Sequence, residues 1–400
     1  MSTAAAQARR AVAGAMICQM GLGLGGYVFG AFLKPIVAEL GWSRAAFSVS
    51  TLPFLLAMAL ASPVVGAATD RFGPRRIFAG GIVVVASALV GLSCMRTLGE
   101  FYAFGFVLGM GATALGDIPA GTVVTRFVGV HAGMALGFVY IGSNIGGALV
   151  PLVATAVTGL ASWRVALRVL AAIGLLVVLP AALWLVPGGT GTREETRIVD
   201  ARGSGLTLAA ARRTAPFAVL AAVLFLFYAY YLAVNTHLVA YLSDVGFGDA
   251  SAARSFGYTV AIGIAGKLAT GLVADRIGLR TAMLGTFGAL ALASWLLLAV
   301  GAVPWLRPVF LTLHGLTVAA ENVLLPLIVV ATFGARHMPA IYGALMLALL
   351  PGGVVGPLVA GHAFDTLGSY RPAFALFATT NVLIVAALAW LTARARIVEA

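Results

Sequence analysis

Charge is scarce in these 400 residues. The 25 basic and 13 acidic side chains amount to 10% of the chain, against 61% hydrophobic residues and a mean hydropathy of +1.04. A soluble fold of this length still leaves much of its area in water and cannot hide so much apolar surface, which excludes a soluble domain and makes lipid the solvent. Lysine is scarcer still, two residues against 23 arginines. The only cysteines, Cys18 and Cys94, fall inside apolar runs, so a disulfide framework is excluded and packing is their expected role. Alternating polar and apolar strand patterns are missing, which leaves helices to satisfy the backbone in lipid. The sequence offers no metal-ligand cluster, nucleophile elbow or phosphate loop, so neither an enzyme nor a cofactor is expected. One motif matches by letter alone: residues 21–26 read G-L-G-L-G-G, the dinucleotide pattern, but without the strand and βαβ unit it requires. Close packing of small residues explains it better.

What is abundant is apolar length. A helix needs about 20 mainly apolar residues to cross the hydrocarbon, and twelve runs qualify: roughly 11–33, 45–68, 77–95, 101–125, 132–158, 165–186, 215–243, 252–273, 281–302, 308–332, 338–362 and 372–393. The expected class is therefore an all-α integral membrane protein of twelve helices. The stretch from 188 to 214, opening G-G-T-G-T-R-E-E-T-R, is the one substantial polar segment. It reads as a cytoplasmic linker between an N-terminal six-helix bundle, 1–187, and a C-terminal one, 215–400. With the N-terminus inside, sixteen basic residues face the cytoplasm and eight the exterior, which places both termini in the cytoplasm of a bacterial-type inner membrane. The net charge of +12 then reflects topology and not nucleic-acid binding, because the arginines are scattered among loops. The opening M-S-T-A-A-A-Q-A-R-R leads into a helix too long and glycine-rich for a cleaved signal.

A short charged phrase occurs twice. Residues 66–76 read G-A-A-T-D-R-F-G-P-R-R and residues 271–280 read G-L-V-A-D-R-I-G-L-R, with Asp70 and Asp275 separated by 205 positions. A duplicated half with the same polar hinge is the pattern of a two-fold-repeated transporter. Gly66 and Gly271 would let helices approach. Asp70 and Asp275 could accept hydrogen bonds from arginine or a helix N-terminus, and Arg71, Arg75 and Arg276 could bind a carboxylate or a helix C-terminus. A simple cytoplasmic anchor is the bland alternative.

Charge inside the hydrocarbon costs about 2.5–3.5 kcal/mol on insertion scales, so each instance asks for a reason. Lys267 lies two turns inward of Asp275, too deep for easy escape to the interface, whereas Lys34 sits at a helix end. A lone ammonium would anchor a carboxylate substrate; a structural ion pair with Asp117 or Glu321 is the alternative. Glu321 lies near the middle of the tenth run with His314 two turns earlier, and Asp117 at similar depth in the fourth. The 205-residue spacing carries Asp117 onto Asn322, beside Glu321. These three are candidates for carrying a coupled proton, or else for hydrogen bonds between helices. Ser143, Asn144, Tyr27 and Tyr140 could meet a substrate, although packing is the default for such residues. Tyr228, Tyr230, Tyr231, Asn235 and His237 make the seventh run unusually polar. Gly142 and Gly146 form a G-x-x-x-G face, and Pro53, Pro63, Pro326, Pro351 and Pro357 are expected to kink their helices.

The twice-used loop resembles the signature of the major facilitator superfamily, and the resemblance extends over essentially the whole chain. Three stretches resemble its monocarboxylate transporter family and the related oxalate/formate antiporters: R-F-V-G-V-H-A-G-M-A-L-G-F-V-Y-I-G-S-N-I-G-G at 126–147, G-H-A-F-D-T-L-G-S-Y-R-P-A-F at 361–374, and F-G-A-F-L-K-P-I-V-A-E-L-G-W-S-R at 29–44. The family's paired basic residues before the fifth helix are replaced here by Gly129, Val130 and His131. Its eighth-helix arginine is matched by Lys267, an acidic residue one turn earlier by Gly263, and the first-helix lysine of some animal members by Tyr27. The resemblance implies two pseudo-symmetric six-helix bundles working by alternating access, a loop that locks helix ends when the cytoplasmic side is closed, and a monomer in the lipid bilayer. It also implies proton-coupled symport of a small organic anion, a monocarboxylate. Organic anion exchange, efflux of a cationic or amphipathic compound, and a non-transporting sensor remain the alternatives.

Overall fold

The computed structural model describes residues 3–42, 46–47, 51–128, 132–188 and 205–394. Most of the linker expected over 188–214 lies outside the described residues. So do Gly129, Val130 and His131, and Arg44, Arg193, Arg197, Arg202 and Arg396 of the orientation count. Every regular element among the described residues is helical, as the apolar runs require. Eleven helices among the described residues are long and apolar enough to span a membrane, and a bent pair makes the twelfth. The protein is a multi-pass integral membrane protein.

In chain order the elements are α1 (Thr3–Gly26), α2 (Val28–Leu40), α3 (Thr51–Phe72), α4 (Pro74–Cys94), α5 (Leu98–Leu115), α6 (Asp117–Phe127), α7 (Ala132–Leu160), α8 (Trp163–Ile173) and α9 (Leu179–Trp184). They continue as α10 (Ala215–Leu242), α11 (Asp249–Ile277), α12 (Leu279–Ala299), α13 (Leu306–Val318), α14 (Glu321–Phe333), α15 (Met338–Leu345), α16 (Leu349–Leu367) and α17 (Arg371–Arg394). A π-helical turn, Gly174–Val178, joins α8 to α9, and a 3₁₀ turn, Met346–Ala348, joins α15 to α16.

The chain divides into two compact units that interleave in sequence. The first holds the described residues of Met1–Gly129, Phe138–Gly205 and Gly334–Ala344; the second holds those of Val130–Gly137, Leu206–Phe333 and Leu345–Ala400. In each, the repeated loop is a tight helix–helix turn. Gly73 between α3 and α4 has φ +80°, and Gly278 between α11 and α12 has φ +89°, a backbone that side-chain-bearing residues rarely adopt. Pro74 then opens α4 with its φ already set for a helix.

Small residues bring the helices of the first unit together. A methyl group on Gly23 of α1 would sit 2.5 Å from the Gly147 nitrogen, and one on Gly142 of α7 would sit 2.9 Å from the Gln19 Cβ. The run of glycines at 21–26 is therefore a packing face inside a helix, not a nucleotide loop.

Among the described residues, the spans that carry the two deep carboxylates are each broken in mid-course. Between α5 and α6, Gly116 leaves the helix with φ −83° and ψ −156°. Pro119 supplies the local reason, since it has no N–H to donate to the Leu115 carbonyl four residues back. The tenth span bends by 40° between α13 and α14. There the Thr317 hydroxyl donates to the Leu313 and His314 carbonyls at 2.7 and 3.2 Å, a competition that bends helices. Pro63, Pro326 and Pro357 lie inside continuous helices, and the bend falls several residues before Pro326.

Candidate functional site

The breaks position the two deep carboxylates. Asp117 is the first residue of α6 and Glu321 the first of α14, so each sits at the positive dipole end of a half-helix. Each is met by a polar side chain from the first span of its own half. In the first unit, Gln19 of α1 donates from Nε2 to Asp117 Oδ1 at 2.9 Å, while the Tyr140 hydroxyl of α7 reaches the Asp117 main-chain oxygen at 3.4 Å. In the second, the Tyr228 hydroxyl of α10 donates to Glu321 Oε1 at 3.2 Å and lies 3.5 Å from Met346 Sδ in the 3₁₀ turn. Glu321 is 5% exposed and borders a small apolar cavity formed with Leu220, Leu224, Phe287, Leu325 and Leu388.

Lys267 belongs to the second unit and is 9% exposed. Its neighbour Gly266 lets α11 press on α13: a methyl group there would sit 2.7 Å from the Leu316 Cα, and one on Gly263 would sit 3.3 Å from the Ala319 Cβ. The segment carrying Lys267 thus packs along the turn just before the break that sets Glu321. His314 faces elsewhere, with Nδ1 2.8 Å from the Tyr230 hydroxyl in a fully enclosed pair. His237 pairs with the Pro357 carbonyl at 3.2 Å and its ring stacks near Tyr370, 5.0 Å between centroids. Tyr370 lies outside the spans, and burial first, then the Asp244 and Asp365 carboxylates, push its phenol above the usual range.

Of the remaining expected contacts in the first unit, Ser143 donates to the Tyr140 carbonyl at 2.9 Å. The Tyr27 ring covers Gly147, where a methyl group would meet it at 2.6 Å, at the break between α1 and α2. Tyr27 is half exposed, whereas Tyr140 is buried.

The repeated loops grip helix starts. Both Asp275 carboxylate oxygens accept from the first turn of α7, from Gly133 N at 2.9 Å and Met134 N at 2.8 Å. Asp70 accepts from Arg126 Nη2 at 3.0 Å and lies 3.6 Å from His337 Nδ1, just ahead of α15. Glycines make the approach possible. A methyl group on Gly137 would sit 2.8 Å from the Lys267 carbonyl oxygen and one on Gly133 2.6 Å from that of Gly271; in the first unit, Gly343 and Gly66 meet the Ser62 and Pro339 carbonyls in the same fashion. The 205-residue spacing carries Ser62 onto Lys267 and Gly66 onto Gly271, so the two contacts are copies. Arg71 lies over the Phe72 ring at 5.1 Å, Arg75 lies against Gly188, and Arg276 is exposed. The loop arginines are thus not what Asp70 binds.

Gln19, Arg126 and His337 were missing from the residues singled out by sequence. A lone amide within an apolar helix was the available signal for Gln19. Arg126 was visible as one charge among sixteen in the orientation count and as the opening residue of the 126–147 stretch, without a role of its own. Among the described residues no group of three or more His, Cys, Asp or Glu could hold a metal ion.

Comparison with known proteins gives concordant results. The family model of the Major Facilitator Superfamily matches residues 15–349. Monocarboxylate transporter 13 of Bos taurus is 26% identical over 371 residues, covering 89% of this chain and 84% of its own length, and the Rattus norvegicus protein is 25% identical over 364 residues, covering 89% and 83%. Among solved structures, a proton:xylose symporter bound to 6-bromo-6-deoxy-D-glucose superimposes with a TM-score of 0.74 at 13% identity, over 96% of this chain and 95% of that one. A human organic anion transporter gives 0.71 at 16% identity (95% and 99%), and an E. coli fucose:proton symporter 0.69 at 15% (96% and 99%). At such identities these structures speak for the fold alone.

Proposed function

This chain belongs to the major facilitator superfamily and is a membrane transporter, not an enzyme, and from that premise we propose that it takes up a small organic monocarboxylate together with a proton. The observation that carries the reading is the composition of the second unit's buried polar set: a single deep lysine, Lys267, on a helix packed beside the break that holds Glu321. The distant relatives named as monocarboxylate transporters support the same substrate class.

In this reading the Lys267 ammonium binds the substrate carboxylate through charge-assisted hydrogen bonds. Glu321 carries the proton, held by Tyr228 at the half-helix N-terminus, and Asp117 is its counterpart in the first half. Tyr27, Tyr140, Ser143 and Asn144 contribute substrate contacts from that half, and His314 stays a buried companion of Tyr230. Coupling follows from electrostatics: a lysine, substrate anion and neutral carboxylic acid together move less net charge through low dielectric than the anion and an ionised acid. The contacts of Asp70 and Asp275 with helix starts hold one of the alternating states, and their release belongs to the passage to the other.

The test is uptake of radiolabelled lactate, pyruvate, formate and aromatic acids into proteoliposomes, with and without an inward proton gradient. Gradient-stimulated uptake of one acid is expected. Uptake that ignores the gradient but requires internal anion would establish exchange instead, and no transport of any acid would overturn the substrate class. In the same assay Glu321→Gln is expected to abolish gradient stimulation and to retain anion exchange, because the amide preserves the Tyr228 hydrogen bond but has no proton to give.

A further inference from the structure

One buried polar atom beside Asp117 has no donor. Gln19 is fully enclosed in the first unit, its Nε2 donates to Asp117 Oδ1 at 2.9 Å, and its Oε1 is buried without a hydrogen-bond partner. Buried acceptors are rarely left in this state, because stripping one of water without compensation is costly. The backbone around Gln19 has little room to relieve it, since α1 is pressed against Gly142 at this level. The two ends of a glutamine amide are nearly identical in shape, and only their partners distinguish them.

We propose that Gln19 is a positioning residue for Asp117 whose amide reads the protonation of that carboxyl: Nε2–H donates to the ionised group, and after a half-turn of the amide Oε1 accepts from the protonated one. The orphan of the first arrangement is satisfied in the second, while Nε2 turns away in its place. The bond that forms is Oδ–H···Oε1 and the bond that breaks is Nε2–H···Oδ1; the proton arrives on Asp117 and stays there. The inference deepens the proposed proton coupling and rests on it for its purpose, but the geometry stands without a substrate.

Other groups bear on Asp117. The helices α1, α3, α4 and α5 pack against α6, Met338 of α15 lies 4.0 Å from its Thr122 hydroxyl, and Tyr140 reaches over from α7. Cys18 neighbours Gln19 on α1. Tyr342 is buried in mid-course of α15, and the ionisable side chains of α1, α3, α4 and α5 otherwise lie toward the helix ends: Arg9 and Arg10 on α1, Asp70 and Arg71 on α3, Arg75, Arg76 and Cys94 on α4, and Glu100 and Tyr102 on α5. On α6 itself, Arg126 lies at the opposite end, bound to Asp70.

The chain has two glutamines, Gln7 and Gln19, which permits a direct experiment. Full-length Gln7→Ser protein labelled with carbon-13 at the glutamine side-chain carbonyl is placed in lipid nanodiscs, and infrared difference spectra are taken between neutral and acidic pH. The labelled amide band should shift to lower wavenumber on acidification, together with the appearance of a protonated-carboxyl band, and both changes should be lost in Asp117→Asn. Gln19→Met, similar in length but lacking both amide atoms, should move the Asp117 carboxyl band to higher wavenumber; Gln19→Leu serves if the Met variant does not fold. An amide band indifferent to pH, or an Asp117 band at the same wavenumber with and without Gln19, would overturn the inference. So would the absence of any Asp117-dependent carboxyl band. No substrate enters the measurement, so failure of carboxylate uptake and failure of the amide switch are recorded separately.

Discussion

Lys267→Ala is expected to lower carboxylate uptake at least about a hundredfold, the loss that follows when one partner of a buried charge pair is removed at about 3–5 kcal/mol. The ammonium lies in the middle of α11, 9% exposed, and the only other lysine of the chain, Lys34, is on α2. Uptake of several acids in proteoliposomes, read alongside the melting temperature of the purified variant, separates the roles. A substrate anchor predicts lost uptake in protein that still folds. A purely structural ion pair predicts a falling melting temperature and partial rescue when Glu321→Gln or Asp117→Asn is added, because the second change removes the stranded charge. Lys267→Arg should recover only part of the uptake, since a planar five-donor fork replaces a compact point charge. Unchanged uptake by Lys267→Ala would remove the anchor from the mechanism.

The second large effect is expected at a residue with no side chain. In Gly271→Ala the new methyl group would meet the Gly133 carbonyl inside any real contact distance and the Met134 nitrogen at 2.9 Å. The start of α7 must then retreat, and Asp275 loses the two N–H groups it now holds at 2.9 and 2.8 Å. Two hydrogen bonds to a charged acceptor are together worth about 3 kcal/mol or more, which converts to a shift of about a hundredfold in the balance between alternating states. Uptake should fall accordingly and the melting temperature with it. Gly285→Ala, on a face of α12 with open space around it, should leave both unchanged. Equal behaviour of the two variants would mean that the contact at Gly271 carries no part of the cycle.

Length and hydropathy were enough to read the spans, because a helix in lipid must be long and apolar whatever it packs against. The loop motif was legible for the same local reason: Gly73 and Gly278 take a backbone that glycine alone adopts easily, and the sequence prints them at matching positions. The depth of Asp117 and Glu321 could also be read. That both sit at the start of a half-helix could not, although Gly116 and Pro119 were in plain view, since Thr317 bends its span without any helix-breaking residue. The pairing of Asp275 with residues 133–134 joins positions more than a hundred apart, and nothing local encodes it. Gln19 was missed because a neutral amide leaves no mark on charge counts, and its hydrogen bond to Asp117 depends on α6 starting opposite it. The arginines of the repeated loop drew attention by recurring, yet the one that binds Asp70 is Arg126, whose counterpart position in the second half is Ala331.

The surfaces that meet at the repeated loops are nearly bare main chain. Gly66 and Gly343 lie against carbonyls of α3 and of the start of α15, as Gly271 and Gly137 do between α7 and α11. Knobs seated in holes must change rotamer, or drag a neighbour with them, before two helices can separate. Two flat glycine faces have nothing to unlatch. What their parting must undo is the pair of hydrogen bonds from Gly133 and Met134 to Asp275 at one loop, and at the other the approach of His337 to Asp70, an event the size of a single helix turn. Such a contact can be firm at equilibrium and still break quickly, which is what the gating role proposed for these loops would require.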